Sequence, residues 1–295
     1  MKNYNEMLAA TRCLGLKVNY LNLDGNLHRV PTDAKPKSFN GFYRYFPDNQ
    51  TLYYGDWQLD ITRTWRSEHS EQTQSDRFAI KQLMDRQKKQ QEQDLVLAIQ
   101  NARDFYNSSQ SATTQQYLTD KHIIAPEGVR VHSGNLIIPL VDLLTAGIPI
   151  MNVQTIWPNG KKLFMKNARI SGFCFPIGLI EDELESLYIA EGFSTAMTVH
   201  MITDELVLAA MNAGNLESVA LAARKRWPKA KIIITGDDDW LTEQKTGINP
   251  GIKKATEAAN AIGGFTCFPP FTAEQRKNNL TDWNDYLFSA SGRKA

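Results

Sequence analysis

Carboxylates follow two short apolar runs of this sequence. The run at residues 187–190 is followed by Glu191, and the run at residues 232–235 is followed, after one glycine, by Asp237, Asp238 and Asp239. Short β-branched or aromatic runs bounded by glycine and charge are typical of strands buried on both faces of a parallel sheet. Open sheets of this kind bind their ligands at the carboxyl ends of the strands, which is where these side chains would lie.

The spacing of these acidic residues favours a metal site. Asp237 and Asp239 are two apart, so in extended backbone both point to the same side. Together with Glu191 from a neighbouring strand they would form a three-carboxylate cluster, whose mutual repulsion a hard divalent cation such as Mg²⁺ would neutralise. The alternative is that the aspartate triplet is only a solvated turn or a helix N-cap.

The pattern from residue 186 to residue 295 alternates between strands and helices, which predicts a parallel α/β domain. Helices are predicted at 193–201, 216–226 and 251–262, and further strands at 206–210 and 266–269. Residues 241–250 are predicted to be a polar loop. Asp282 and Asp285 add two carboxylates near the end of the chain.

Residues 1–66 are predicted to form a small β-rich domain with one helix at 7–16 and strands at 18–23, 41–46 and 51–54. The segment is rich in aromatic residues with basic residues between them, His28, Arg29, Arg44 and Arg63 among them. Aromatic and cationic side chains on a sheet can bind single-stranded nucleic acid by stacking. The alternative is that most of these rings fill the core of a small domain.

Residues 67–115 are predicted to be a helical spacer, and residues 116–185 an α+β segment with a short helix at 117–122 and strands at 136–141, 150–157 and 161–166. The last of these strands carries Lys161, Lys162 and Lys166. Cations near an acidic site suit triphosphates and nucleic-acid backbones. The alternative is an exposed hairpin edge kept soluble by lysine.

Composition restricts the class of protein. The chain has 295 residues, 42% of them hydrophobic, and its 33 Lys and Arg nearly balance its 32 Asp and Glu, so net charge indicates no partner. Its three cysteines are isolated, and we expect neither zinc nor a disulfide framework. We expect a cytoplasmic protein with no membrane contact, because there is no long apolar run and no signal-peptide core.

With these motifs in order, the chain resembles the Toprim domain of bacterial-type primases, topoisomerases and some nucleases. The motifs are most similar to primases of phages, plasmids and integrated elements, over roughly residues 116–290. They are YLTDKHI, LIIPLVD, QTIWPNGKKLFM, EGFSTAMTVH, NAGNL, GDDD, NPGIKKATEAANAIGG and TDWNDYL.

The resemblance implies roles for individual residues. Glu191, Asp237 and Asp239 match the family's acidic triad, which holds Mg²⁺ (or Mn²⁺) and carries catalysis. Lys161 and Lys162, with Lys166 beside them, resemble a basic segment that meets nucleotide and template. Supporting roles fall to the remaining motif residues, namely nucleotide or template binding for Asn215 and Lys254, and additional acidic positions at Asp238, Asp282 and Asp285.

The resemblance implies a DNA primase that joins nucleoside triphosphates into short primers on single-stranded DNA. The sequence departs from many primases in having no cysteines for an N-terminal zinc ribbon. It also has no Gly-x-x-x-x-Gly-Lys-Ser/Thr motif, so a separate helicase is the expected partner. The alternatives are a metal-dependent nuclease built on the same site, and a single-stranded DNA-binding accessory protein with weak catalysis. A topoisomerase would need a further domain carrying a tyrosine nucleophile.

Overall fold

The computed structural model describes residues 2–47, 50–57, 59, 61–66, 74–278 and 280–290. The chain divides into two compact units, Met1–Gln91 and Glu92–Ala295, and the division falls within the long helix α2 (Gln74–Asn107). No helix in the described part of the chain is long and apolar enough to cross a membrane.

The first unit is a four-stranded antiparallel sheet with one helix packed on it. Its elements are α1 (Lys2–Cys13), β1 (Leu27–Val30), β2 (Gly41–Phe46), β3 (Thr51–Asp56) and β4 (Ile61–Arg66). The strands pair in chain order. Met7 of α1 packs against Tyr43, Leu52 and Tyr54, so one face of the sheet forms the core of this unit.

The strand predicted at residues 18–23 is absent, and the first strand is β1 instead. Residues 18–23 run as irregular backbone, and two of their amides bond to side chains rather than to a neighbouring strand. Leu21 donates to the Tyr4 hydroxyl at 2.8 Å, and Asn22 donates to the Tyr43 hydroxyl at 3.0 Å. The fourth strand, β4, was not predicted.

The second unit begins with an antiparallel sheet against the end of α2. Its strands are β5 (Gln110–Ser111), β6 (Arg130–His132), β7 (Asn135–Val141), β8 (Ile150–Ile156) and β9 (Lys162–Phe164), paired in that order, with the short helix α3 (Gln116–Asp120) between β5 and β6. Ala102 and Tyr106 of α2 pack against Ile137 and Val153. The predicted α+β segment is therefore present.

A second five-stranded sheet follows, in the order β10-β12-β11-β13-β14. Its strands are β10 (Phe175–Ile177), β11 (Ser186–Ala190), β12 (Val207–Ala209), β13 (Lys231–Thr235) and β14 (Phe265–Cys267). The last four strands are parallel, and β10 pairs antiparallel at one edge. Strand β10 precedes residue 186, so the domain boundary predicted after residue 185 falls between two strands of this sheet.

Helices cover both faces of this sheet. They are α4 (Phe193–Thr203), α5 (Leu216–Arg226), α6 (Trp240–Thr246), α7 (Pro250–Ile262), α8 (Ala273–Lys277) and α9 (Trp283–Ala290). Tyr188 and Ala190 pack with α4 on one face, while Leu187 and Ile189 pack with α5 and α7 on the other. The predicted α/β fold is confirmed, whereas the loop predicted at residues 241–250 is wrong because α6 occupies its first part.

Candidate active site

The acidic residues from two separate motifs meet at one edge of the parallel sheet. Strands β11 and β13 are direct neighbours, and their last residues, Ala190 and Thr235, lie opposite each other. Glu191 follows one of them and Asp237 follows the other after a single glycine. The parallel pairing, read from two apolar runs about 40 residues apart, therefore places both carboxylates at the carboxyl end of the sheet.

Five carboxylates share this edge. Burial, followed by the charges of its neighbours, raises the pKa of Asp237 to about 8, and those neighbours are Glu191, Asp282, Asp239 and Asp285. Burial and the charge of Asp239 also raise the pKa of Glu191. Burial likewise raises the pKa of Asp282. The structure thus brings together the predicted triad and the two carboxylates predicted near the end of the chain.

The donor set fits a hard divalent cation. One carboxylate oxygen of Asp237, Oδ1, is buried and has no hydrogen-bond partner, which is costly unless the group is protonated or meets a cation. The surrounding donors are carboxylate oxygens, which Mg²⁺ and Mn²⁺ prefer. In the described residues, however, no three His, Cys, Asp or Glu side chains are arranged to hold a metal ion. The carboxylate oxygens are therefore suitable ligands for such a cation, although the side chains do not converge on a single point.

Asp238 points away from this cluster and forms its own network. Its side chain is 3% exposed and accepts hydrogen bonds from Asn249 Nδ2 at 2.9 Å and from Arg276 Nε at 2.9 Å. Its backbone amide donates to the Thr281 carbonyl at 2.7 Å. Asp238 therefore connects the acidic loop (residues 236–239) to the starts of α7 and α9 and to α8. Nothing in the sequence indicated that Arg276 would contact it.

Asp239 is held by the start of α7. The Gly251 amide donates to Asp239 Oδ2 at 3.0 Å, and the Asp239 amide donates to Asn249 Oδ1 at 3.1 Å. The same Asn249 oxygen accepts from the Ile252 amide and so caps the helix. The helix N-terminus and the acidic loop consequently form one hydrogen-bonded unit.

We expect replacing Arg276 with Ala to destabilise this unit. The change leaves the buried Asp238 carboxylate without its cation, at a cost of about 2 kcal/mol in the free energy of unfolding. The double variant Arg276→Ala with Asp238→Asn should recover part of that loss, because an amide needs no counter-ion. Urea unfolding of wild type, both single variants and the double variant measures this coupling. Additive losses would contradict a direct Arg276–Asp238 interaction.

Two lysines face the acidic cluster. Lys162 lowers the pKa of Glu191 against the effect of burial, and its ammonium lies 5.7 Å from the centre of the Tyr117 ring. Lys121 lies 3.9 Å from Asp282 and 3.8 Å from Asp285. Lys162 was among the predicted residues. Lys121 was missed, although it belongs to the YLTDKHI motif.

The other predicted cations lie elsewhere or have other partners. The Lys161 ammonium lies 5.4 Å from the Trp157 ring centre, and Lys166 is exposed at the end of its hairpin. Lys254 pairs with Glu257 at 2.7 Å on the surface of α7. The structure therefore associates only Lys162, of these four lysines, with the carboxylates.

Asn215 is built into the fold. It is 2% exposed, its amide group donates to the carbonyls of Phe173 and Ala210, both at 2.8 Å, and its oxygen accepts from the Gly172 amide at 2.8 Å. These bonds join the segment before β10 and the residue after β12 to the start of α5. Its placement gives no support to the predicted contact with nucleotide.

Asp282 and Asp285 lie at the start of α9, where they accept hydrogen bonds from backbone amides as well as belonging to the acidic cluster. Asp282 Oδ1 accepts from the Asp285 amide at 2.7 Å, and Asp285 Oδ2 accepts from the Thr281 amide at 3.0 Å. Between them, Asn284 donates to the Lys121 carbonyl at 2.7 Å and to the Thr198 hydroxyl at 2.9 Å. The TDWNDYL motif thus anchors α9 on α3 and α4 beside the acidic cluster.

A cleft of about 450 Å³ opens beside Asp285. Polar and aromatic side chains line it together, and they include Tyr117, Lys121, His122, Asn159 and Phe288. Cationic, amide and aromatic groups next to carboxylates suit a nucleotide, which presents phosphates and a flat base.

The raised pKa of Asp237 predicts a pH-dependent stability. The unfolded chain releases this proton near pH 4 and the folded chain only near pH 8, so this group costs the folded protein stability as pH rises between them. In EDTA, we expect Asp237→Asn to raise the melting temperature by roughly 4 °C or more at pH 8, and by less at pH 5. Thermal unfolding across this pH range is the measurement. An equal difference at both pH values would contradict the buried, protonated carboxyl.

Residues 186–292 match the family model of the Toprim domain. Beyond this segment, the chain is similar in sequence to two DNA primases. It is 31% identical over 306 aligned positions to DNA primase TraC of Escherichia coli, across 92% of this chain and 28% of that protein. A second DNA primase TraC of Escherichia coli is 30% identical, across 84% of this chain and 18% of that protein. The predicted resemblance is confirmed, and the chain spans less than a third of the length of these relatives.

Among solved structures, the primase fragment of the bacteriophage T7 primase-helicase protein aligns with 90% of this chain and 96% of its own. Its TM-score is 0.41 and its sequence identity is 11%. A superposition this loose supports no conclusion about the site, and the fold assignment rests on the Toprim match and the strand order.

Proposed function

We propose that this chain is a nucleotidyltransferase that synthesises short primers on single-stranded DNA, for replication of a phage, plasmid or integrated element. The observation that supports it best is the gathering of Glu191, Asp237 and Asp239 at the carboxyl end of a Toprim sheet, with one buried Asp237 oxygen left without a partner. The homology to DNA primases supports the reaction class.

We assign the cation site to Glu191, Asp237 and Asp239. Mg²⁺ (or Mn²⁺) bound there would lower the pKa of an attacking 3′-hydroxyl and neutralise charge on the leaving pyrophosphate. Asp237 would contribute a carboxylate ligand, and a cation bound there would displace the proton that its raised pKa retains. Asp238 contributes no ligand in this proposal, because Arg276 and Asn249 already occupy its oxygens.

We assign triphosphate binding to Lys162, which acts on Glu191, and to Lys121, which lies near Asp282 and Asp285. A triphosphate carries its charge on oxygens that an ammonium attracts as a point charge. The cleft beside Asp285 would take the nucleotide base or the template strand, since Tyr117 and Phe288 offer rings for stacking. The partners proposed are therefore nucleoside triphosphates and single-stranded DNA, with a separate helicase as a further expected partner.

Incorporation of labelled nucleoside triphosphates on single-stranded DNA tests this function. With Mg²⁺ or Mn²⁺, wild type should give short products that depend on both template and nucleotides, and Asp239→Asn should abolish them. Asp182→Asn is the matched control, because Asp182 is exposed and lies before β11, at the opposite end of the strand from Glu191. Degradation of the template without added nucleotides, lost in Asp239→Asn, would instead show a nuclease.

A further inference from the structure

Asn249 lies between the acidic loop and the start of α7, and its side chain is 8% exposed. Its Oδ1 accepts from the Asp239 amide at 3.1 Å and from the Ile252 amide at 3.2 Å. Its Nδ2 donates to Asp238 Oδ1 at 2.9 Å and to Glu243 Oε2 at 3.2 Å. A carboxamide has two donors and one oxygen with two lone pairs, so this side chain makes every hydrogen bond open to it.

The neighbouring carboxylates decide which way this carboxamide faces. A carboxylate accepts hydrogen bonds and donates none, so Nδ2 of Asn249 must face Asp238 and Glu243, and its oxygen must face the backbone amides. Asp238 is itself fixed by Arg276, whose Nε and Nη2 each lie 2.9 Å from Asp238 Oδ2. Successive hydrogen bonds therefore connect Arg276 on α8 to the backbone of the acidic loop.

The backbone that Asn249 holds carries a proposed cation ligand, Asp239. The Asp239 amide bonds to Asn249, and Asp239 Oδ2 accepts from the Gly251 amide at 3.0 Å. Burial, followed by the charge of Asp239, raises the pKa of Glu191, so the Asp239 carboxylate acts on the cluster from this position. If the Asn249 carboxamide turned over, the Asp239 amide would lose its acceptor and the carboxylate would be free to change direction.

We propose that Asn249 is a positioning residue for the cation site, and that the direction of its carboxamide, fixed by Asp238, sets where Asp239 presents its carboxylate. Asn249 itself contacts neither cation nor substrate in this role. The role rests on the proposed function, because the cation site is part of it. Helix capping alone does not require an amide, since aspartate caps helices as well as asparagine does. An aspartate at this position could accept from the backbone amides but could not donate to Asp238.

Asn249→Asp separates positioning from capping. The new carboxylate can still cap α7, but repulsion from Asp238 would turn it away from the position that holds the Asp239 amide. We expect nucleotide incorporation to fall at least about 10-fold and the dissociation constant for Mn²⁺ to rise at least about 10-fold, as when other groups that orient metal ligands are lost. Mn²⁺ binding is measured without nucleotides, from the electron paramagnetic resonance signal of the free ion. Asn260→Asp is the matched control, because it makes the same chemical change at an exposed position near the other end of α7.

The exchange variant Asp238→Asn, Asn249→Asp tests the direction of the hydrogen bond. The new amide at position 238 can donate to the new carboxylate at position 249, while its oxygen still accepts from Arg276. We expect this variant to bind Mn²⁺ at least about 3-fold more tightly than Asn249→Asp, and Asp238→Asn alone completes the cycle. A residue that only supported the fold through its size would show no such recovery.

Arg276→Gln tests the same connection from its other end, at a partly exposed side chain whose replacement leaves the core intact. We expect its Mn²⁺ affinity to fall at least about 3-fold, and this result decides the matter if Asn249→Asp does not fold. Thermal unfolding in EDTA establishes which proteins are folded.

Wild-type Mn²⁺ affinity in a folded Asn249→Asp protein, or in Arg276→Gln, would overturn the role of Asn249. An exchange variant that is folded but binds Mn²⁺ no better than Asn249→Asp would overturn the role of its direction. A wild-type chain that binds no Mn²⁺ and makes no primers would refute the proposed function, and this role with it. Wild-type binding and primer synthesis with no effect of Asn249→Asp would refute the positioning role alone.

Discussion

Replacing Asp237 with Asn should lower nucleotide incorporation by at least about 100-fold, the usual cost of losing a preorganised charge at a reacting centre. Asp237 lies at the centre of the cluster, since four other carboxylates act on its pKa and its Oδ1 has no partner. Asn has the same shape and no negative charge, so a cation would lose one of its charged ligands and keep at most a weaker amide oxygen in its place. The fold should survive, because the same change removes a buried carboxyl that destabilises the protein above pH 4.

Two measurements make this prediction specific. Steady-state incorporation compares Asp237→Asn with the control Asp182→Asn, and thermal unfolding compares both with and without Mg²⁺. Wild type and Asp182→Asn should gain stability from millimolar Mg²⁺, and Asp237→Asn should gain little. Full activity in Asp237→Asn, or an equal Mg²⁺ effect on all three proteins, would remove Asp237 from the proposed site.

Replacing Gly251 with Ala should lower the free energy of unfolding by about 2 kcal/mol. Within a helix this change normally stabilises by about 1 kcal/mol, so the expected sign is reversed. The reason is a close approach of the helix to the acidic loop. An added Cβ would lie against the Asp237 carbonyl oxygen, 3.0 Å from its carbonyl carbon and 3.1 Å from Asp239 Oδ2. The loop must shift, and we expect incorporation to fall at least about 10-fold with it.

Gly192→Ala is the control for this prediction. Gly192 precedes α4 and adjoins Glu191, but an added Cβ there would meet only Thr195 Oγ1, at 3.9 Å. The cost should stay below about 1 kcal/mol, which is the loss of a favourable N-cap residue. Urea unfolding of both variants gives the comparison. A stabilised Gly251→Ala protein would show that the loop moves freely away from α7.

The sequence predicted that carboxylates from two motifs meet at one sheet edge, because a physical rule links that placement to local patterns. Two buried strand patterns that end in carboxylates, in a strand–helix alternation, imply a shared edge of one parallel sheet, and Ala190 and Thr235 are indeed paired there. The prediction of a strand at residues 18–23 was wrong for a related reason. Its apolar pattern reflects burial of Val18 and Leu21 against α1, and burial alone does not provide a partner strand.

Residues that act through tertiary contacts were beyond prediction. Arg276 meets Asp238 from a short helix far along the chain, and Lys121 meets Asp285 from the opposite end of the second unit. Neither pairing follows a periodicity or a residue spacing that can be recognised in the sequence. The hydrogen bonds of Asn215 to the Phe173 and Ala210 carbonyls are tertiary contacts of the same kind, and its role in nucleotide or template binding stays a prediction.

Anomalous diffraction from crystals soaked with Mn²⁺ and a nucleoside triphosphate tests the proposed cation site. We expect Mn²⁺ bonded to carboxylate oxygens of Glu191, Asp237 and Asp239, with the triphosphate extending toward Lys162 and Lys121. We also expect the anomalous peak to disappear in Asp237→Asn. Manganese bound only elsewhere, or a triphosphate bound away from these carboxylates, would contradict the assignment of the catalytic site.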